Sequence, residues 1–212
     1  MKTIRINEIF YSIQGESSRI GFPTVFIRLT GCPMRCSYCD TAYAFHQGNQ
    51  LEIDTIISSV QQYSTKFVTV TGGEPLAQKN CLDLLNQLCD LDYDVSLETG
   101  GGIDISAVNA KVKIILDIKT PKSREAENNF WPNLKKIKPI DEIKFVVADQ
   151  EDFKWALQII QEHQLDPKKI LFSPVYGQLD GGLLAKWILD HGVGARLQLQ
   201  LHKILWGEKQ GV

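Results

Sequence analysis

Gly31-Cys32-Pro33-Met34-Arg35-Cys36-Ser37-Tyr38-Cys39-Asp40-Thr41 follows, after Thr30, the apolar run Thr24-Val25-Phe26-Ile27-Arg28-Leu29. Three residues separate the first two cysteines of this loop and two separate the next pair. Thiolates are soft ligands for iron and zinc. Closed zinc and ferredoxin-type sites take four protein ligands, and this loop offers three. A three-cysteine loop can hold a cubane cluster and leave one iron open to a small molecule. A zinc site completed by Cys81 or Cys89, and a four-cysteine electron carrier, are the alternatives. Both spare cysteines stand among leucines in a helical pattern, where free cysteine commonly behaves as a small hydrophobe.

Outward from the loop, short apolar runs alternate with helical segments. Ile4 to Ile13 reads as a strand into a turn at Gln14-Gly15-Glu16-Ser17-Ser18, and Thr24–Leu29 as a second strand. Asp54 to Tyr63 reads as a helix with Asp54 as N-cap. Phe67-Val68-Thr69-Val70 is a strand entering Thr71-Gly72-Gly73-Glu74-Pro75, and Asn80 to Leu91 is a helix. Val95–Thr99 reaches three glycines, and Val112–Ile118 reaches Lys119-Thr120-Pro121-Lys122, with residues 121–133 irregular. Glu142–Val147, a helix from Asp149 to His163, Ile170–Phe172 ending at Ser173-Pro174, and a helix to His191 follow. Arg196 to Leu201, with alternating leucines, reads as a last strand ending at His202.

Strands alternating with helices indicate an α/β fold with a largely parallel sheet. About six parallel strands are too few for an eight-stranded barrel, so an incomplete (β/α) barrel is expected. Ligands bind at the carboxyl ends of such strands. The cysteine loop, Gly-Gly-Glu, Glu-Thr-Gly, Lys-Thr-Pro-Lys and Ser-Pro all lie at that edge and should face one site.

The chain has 212 residues, which suits one domain over 1–212. Hydrophobic residues make up 43% and charged residues 23%, as in ordinary soluble proteins. A formal net charge of −2 gives no electrostatic footprint for nucleic acid or an anionic membrane. The start, Met1-Lys2-Thr3-Ile4-Arg5, lacks a signal-peptide core, and no run of about 18 apolar residues appears. Five cysteines, three of them together, argue against a disulfide framework and for the reducing cytoplasm.

The Cys32, Cys36, Cys39 spacing resembles the signature of the radical S-adenosylmethionine (SAM) superfamily, and Gly72-Gly73-Glu74 resembles its Gly-Gly-Glu motif. Two further groups of residues narrow the resemblance. One comprises Ile13-Gln14-Gly15-Glu16, Arg28 and Cys39-Asp40-Thr41; the other comprises Glu98-Thr99-Gly100-Gly101, Lys119-Thr120-Pro121-Lys122 and Leu199–Lys203. In this order, from residue 6 to the C-terminus, they resemble the 7-carboxy-7-deazaguanine synthase family. Here Glu-Thr-Gly-Gly-Gly stands where relatives often have Glu-Thr-Ser-Gly, Thr120 replaces a serine, and Ser173-Pro174 replaces Gln-Pro.

That resemblance implies a [4Fe-4S] cluster on Cys32, Cys36 and Cys39, with SAM on its open iron. SAM contacts would come from Tyr38, Cys39, Asp40, Gly72, Gly73, Glu74 and Gly101. Further contacts would come from the turns Thr120-Pro121-Lys122 and Ser173-Pro174-Val175-Tyr176. The substrate would be held by Ile13, Gln14, Gly15, Arg28, Thr99 and His202, and Mg²⁺ by Thr41. The implied reaction contracts 6-carboxy-5,6,7,8-tetrahydropterin to 7-carboxy-7-deazaguanine and releases ammonia, serving queuosine and related 7-deazapurine biosynthesis. A homodimer reduced by a flavodoxin- or ferredoxin-like protein is also implied. The alternative within the superfamily is a glycyl-radical activase, which shares the cluster and Gly-Gly-Glu motifs but does not need the Gln14-Gly15 and Arg28 set.

Overall fold

Alternation along the strands gives the sheet one oily face and one polar face. A computed structural model describes residues 2–212. Its strands are β1 (Thr3–Ile13), β2 (Pro23–Leu29), β3 (Asn49–Glu52), β4 (Phe67–Gly72), β5 (Asp94–Thr99), β6 (Lys113–Ile118), β7 (Glu142–Val147), β8 (Ile170–Pro174) and β9 (Arg196–Leu197). The helices are α1 (Ile53–Val60), α2 (Cys81–Asp90), α3 (Gln150–Glu162), α4 (Gly181–Asp190) and α5 (Leu201–Trp206). One sheet of nine strands runs in the order β3-β1-β2-β4-β5-β6-β7-β8-β9. Pairing is antiparallel on both sides of β1 and parallel from β2 to β9. The sheet does not close, as the incomplete-barrel reading expects.

Val25, Ile27, Val68, Val70, Val95 and Leu97 point to one side, where α1 and α2 cover them. Ile114, Leu116, Ile143, Phe145 and Phe172 point the same way under α3 and α4. The leucines of α2 are spaced for one helical face, and Leu84, Leu85 and Leu88 are fully buried. Each contributes about 2 kcal/mol through its burial. Asp149 caps α3 by accepting from the Asp152 N–H at 3.0 Å, and Asp180 caps α4 by accepting from the Leu183 N–H at 2.9 Å.

Three expectations change. Helix α1 starts at Ile53, and Asp54 lies in its first turn rather than at the N-cap. Ile53 is buried and its N–H bonds the Lys2 carbonyl, which draws it into the helix. Strand β3 is new; its polar Asn49-Gln50-Leu51-Glu52 is extended by pairing with the free edge of β1. The leucine-alternating segment leaves the sheet after Leu197. In the parallel ladder the Gln198 N–H bonds the Phe172 carbonyl at 2.8 Å. The next donor would be the N–H of residue 174, and Pro174 has none. His202 therefore lies in the first turn of α5, not at a strand end.

Candidate active site

The polar face carries the site. In-register neighbours bring Arg28 beside Thr71, Asp117 beside Lys144, and Val146 beside Ser173. These side chains floor a cavity of about 450 Å³, and the cysteine loop, the glycine turn after β4 and α5 form its rim.

The cysteine loop is braced from four sides. Gly31 donates to the Ala44 carbonyl at 2.9 Å, and its own carbonyl accepts from the Glu74 N–H at 2.8 Å. The Ser37 hydroxyl donates to the Lys122 carbonyl at 2.6 Å. Arg35 folds back on the Cys32 and Met34 carbonyls at 2.6 and 2.7 Å and stacks on Phe45. Cys32, Cys36 and Cys39 are free, half-buried and in the cavity wall. Burial pushes all three thiols up, Cys36 to about 11, so ligation must displace their protons. Cys81 and Cys89 are buried in the core, which removes the fourth ligand that the zinc alternative needs.

Gly72 and Gly73 also line the cavity. A Cβ on Gly73 would stand 2.6 Å from the Gly31 carbonyl carbon and 2.8 Å from Cys32 Cβ. The two turns can sit this close only with glycine there. Glu74 is not in the cavity wall. Its buried carboxylate accepts from the Thr99 hydroxyl at 2.9 Å, the Gly100 N–H at 2.7 Å and the Leu76 N–H at 3.0 Å. It ties the turn after β4 to the turn after β5. Thr99 lines the cavity, whereas Gly101 stands behind it, its carbonyl accepting from Phe130 N–H and Asn133.

Thr120, Pro121 and Lys122 are likewise behind the wall. The Thr120 hydroxyl donates to the buried Asp152 at 2.9 Å and lies 3.2 Å from the Tyr38 hydroxyl. Lys122 is half-exposed and pairs with Asp149 and Glu151. Ser173, Pro174, Val175 and Tyr176 line the cavity directly. Ser173 Oγ and Asp117 Oδ1 are buried without a hydrogen-bond partner among the described residues. Two orphaned polar atoms in the wall beside three thiols fit a ligand that is itself polar.

Arg28 gives its Nε to Glu8 at 2.7 Å, which leaves its terminal nitrogens without a hydrogen-bond partner among the described residues. Gln14 lines the cavity but is held within the protein: its amide donates to Thr69 at 3.0 Å and its oxygen accepts from the Glu16 N–H at 3.1 Å. Its side chain orients Glu16. Gly15 permits the approach of α5, because a Cβ there would collide with the His202 ring. His202 is half-buried; burial lowers its pKa and outweighs the pull of Glu16 and Asp40. The Thr41 hydroxyl donates to Asp40 at 2.8 Å at the rim. Ile13 completes the assigned set in the wall.

Among the wall residues to which the sequence reading gave no role are Glu16, Glu98, Asp117 and Lys144. Lys144 pairs with Glu16, and Gln200 donates to the same carboxylate at 2.8 Å. Burial pushes Glu16 up, but Lys144 and Gln200 outweigh it and hold Glu16 below the usual carboxyl value. The signal was present in the alternation: Val95 and Leu97 face the core, so Ser96 and Glu98 face the cavity side.

Residues 26–173 match the model of the radical SAM superfamily. The 7-carboxy-7-deazaguanine synthase of Chlorobaculum tepidum is 46% identical over 96% of this chain and 94% of its own length. That of Koribacter versatilis is 36% identical over 99% of this chain and 100% of its own. Among solved structures, QueE from Escherichia coli aligns over 94% of this chain and 95% of its own with a TM-score of 0.77. At 24% identity that is a likeness of fold.

Proposed function

Because the chain belongs to the radical SAM superfamily and, within it, to the 7-carboxy-7-deazaguanine synthases, we propose that the inner-face cavity is where a carboxytetrahydropterin undergoes ring contraction. The enzyme is a lyase of 7-deazapurine biosynthesis. Substrate and product differ by one ammonia. The observation that carries the placement is the polar inner face, which brings Arg28, Glu16, Lys144 and His202 into one cavity with the three thiols.

Cys32, Cys36 and Cys39 would hold the cluster, and SAM would lie between the Gly72-Gly73 turn and Ser173–Tyr176. When bound, the reduced cluster and SAM supply a carbon-centred radical that takes hydrogen from the substrate. The chain's own residues do the rest. The terminal nitrogens of Arg28 form a planar fork suited to the substrate carboxylate. Glu16, kept ionised by Lys144, presents two acceptors to the N–H edge of the pterin. His202 and Gln200 close the cavity from α5. The Thr41 hydroxyl and Asp40 would offer hard oxygen to Mg²⁺. Glu74 acts behind the wall by fixing Thr99 and Gly100.

The resemblance also carries a homodimer and a flavodoxin- or ferredoxin-like reductant, and the free cysteines suit the reducing cytoplasm. Among the described residues no helix is long and apolar enough to cross a membrane. A glycyl-radical activase is not favoured: the relatives bear the synthase name, and α5 closes the space a protein loop would enter.

Anaerobic reconstitution followed by iron and zinc counting tests the cluster placement. About four irons per chain, lost on replacing any of the three loop cysteines, is the expected result. Stoichiometric zinc in a colourless protein contradicts it. Thr41→Ala should abolish the response of turnover to Mg²⁺; an unchanged response removes that role.

A further inference from the structure

The reaction needs proton transfers that none of the assignments above supplies. Loss of ammonia breaks a C–N bond whose electron pair stays on nitrogen, and that nitrogen must gain a proton. Aromatisation of the new five-membered ring releases one proton from carbon, and the C–H electron pair becomes a ring π bond. One group that gives a proton first and takes one second ends where it began, with no external oxidant or reductant.

Glu16, Asp40, Glu98, Asp117 and Glu208 line the cavity, Glu208 as an exposed residue beyond α5. Glu16 is paired with Lys144, and Asp117 with Lys119 at 3.0 Å. Asp40 is exposed at the rim and accepts from Thr41. Glu98 is different. It lies within the floor on β5, and its one hydrogen bond among the described residues comes from the Thr71 hydroxyl at 2.9 Å. No cation pairs with it among the described residues, which leaves its second oxygen for whatever occupies the cavity.

We infer that Glu98 is the acid–base residue of the ring contraction, protonating the departing nitrogen and then accepting the ring-carbon proton. Burial, with the Glu16 carboxylate nearby, raises its proton affinity, whereas Lys144 holds Glu16 ionised. Two carboxylates pushed apart in this way divide the roles of acid and fixed charge. The assignment rests on the proposed placement of the substrate.

The test uses reconstituted protein with SAM, reductant and pterin deuterated at the carbon bearing the carboxylate. Three readouts are followed: deuterium in 5′-deoxyadenosine, ammonia, and substrate affinity measured without reductant. Glu98→Gln should bind substrate and transfer deuterium as wild type does, while ammonia release falls on the order of 100-fold. Glu98→Asp, which keeps a carboxyl, should recover part of the loss and guards against a folding defect in the amide variant. Ammonia release by Glu98→Gln within about threefold of wild type overturns the inference. So does loss of substrate binding and label transfer together with ammonia release, which would make Glu98 a binding residue. A wild-type protein that cleaves SAM without making the deazapurine takes down the functional reading and this inference with it.

Discussion

Lys144 on β7 forms an ion pair with Glu16, in the turn after β1, across the polar face of the sheet. The two side chains are 13% and 10% exposed, so each charge depends on the other. Removing one partner of a mostly buried pair strands the other charge at a cost of about 3 kcal/mol. Lys144→Met should therefore lower the urea midpoint of unfolding clearly, and Lys144→Met with Glu16→Gln should lower it less than Lys144→Met alone. A double-variant loss equal to the sum of the Lys144→Met and Glu16→Gln losses would mean the pair is not coupled.

The two inner carboxylates should give opposite pH signatures. Glu16 is held below its ordinary value of 4.5 when folded, so it contributes stability above that pH that is lost as pH falls through its folded pKa. Glu98 is held above its ordinary 4.5, so ionising it in the folded state costs stability as pH rises through its folded pKa. Glu98→Gln should stabilise the protein at pH 8 and have little effect at pH 4, whereas Glu16→Gln should destabilise at pH 8. Urea midpoints over that range decide it; the same sign for both variants at pH 8 contradicts the opposed environments.

Gly15 should not tolerate a methyl group. The Leu201 N–H donates to the Gly15 carbonyl at 3.0 Å, and the His202 ring occupies the space of a Gly15 Cβ. Relieving such an overlap costs about 1–3 kcal/mol, which should loosen α5. Gly15→Ala should keep its iron content yet raise KM for the pterin roughly 10- to 100-fold, and the chain after Gln198 should become more sensitive to protease. Unchanged KM and protease pattern would show that α5 does not close on the substrate.

Asp152 fixes the Thr120-Pro121-Lys122 turn from behind the wall. Its carboxylate accepts from the Thr120 hydroxyl, the Lys122 N–H at 3.0 Å and the Ala148 N–H at 3.1 Å. Asp152→Ala leaves these donors unsatisfied, and Asp152→Asn keeps one acceptor. Each unsatisfied buried donor costs about 1–3 kcal/mol. Calorimetric titration of the reconstituted protein should show SAM affinity weakened on the order of tenfold or more in the alanine variant and partly restored in asparagine. Equal affinities in all three proteins would detach this turn from SAM.

What was legible in the chain follows from how local each signal is. Cys32, Cys36 and Cys39 declare soft-ligand chemistry by spacing alone, and the apolar runs of β2 and β4 to β8 announce parallel strands. The polar β3 carries no such run and exists because β1 offers a free edge. The leucines after Arg196 alternate like a strand, but the missing N–H of Pro174 ends the ladder and frees the chain to form α5. Glu98, Asp117 and Lys144 needed more than alternation: their shared face becomes a site only once the register sets Asp117 beside Lys144 and the turn after β1 delivers Glu16. That register joins segments far apart in sequence. Gln14 shows the reverse case, a residue that lines the cavity while its side chain is held by Thr69 and the Glu16 N–H.

The most direct test of the account is a single product measurement. Anaerobically reconstituted protein is incubated with reductant, SAM, Mg²⁺ and 6-carboxy-5,6,7,8-tetrahydropterin, and the deazapurine and ammonia are quantified by mass and absorbance. The account predicts 7-carboxy-7-deazaguanine and ammonia in equal amounts. SAM cleavage with neither product would contradict it.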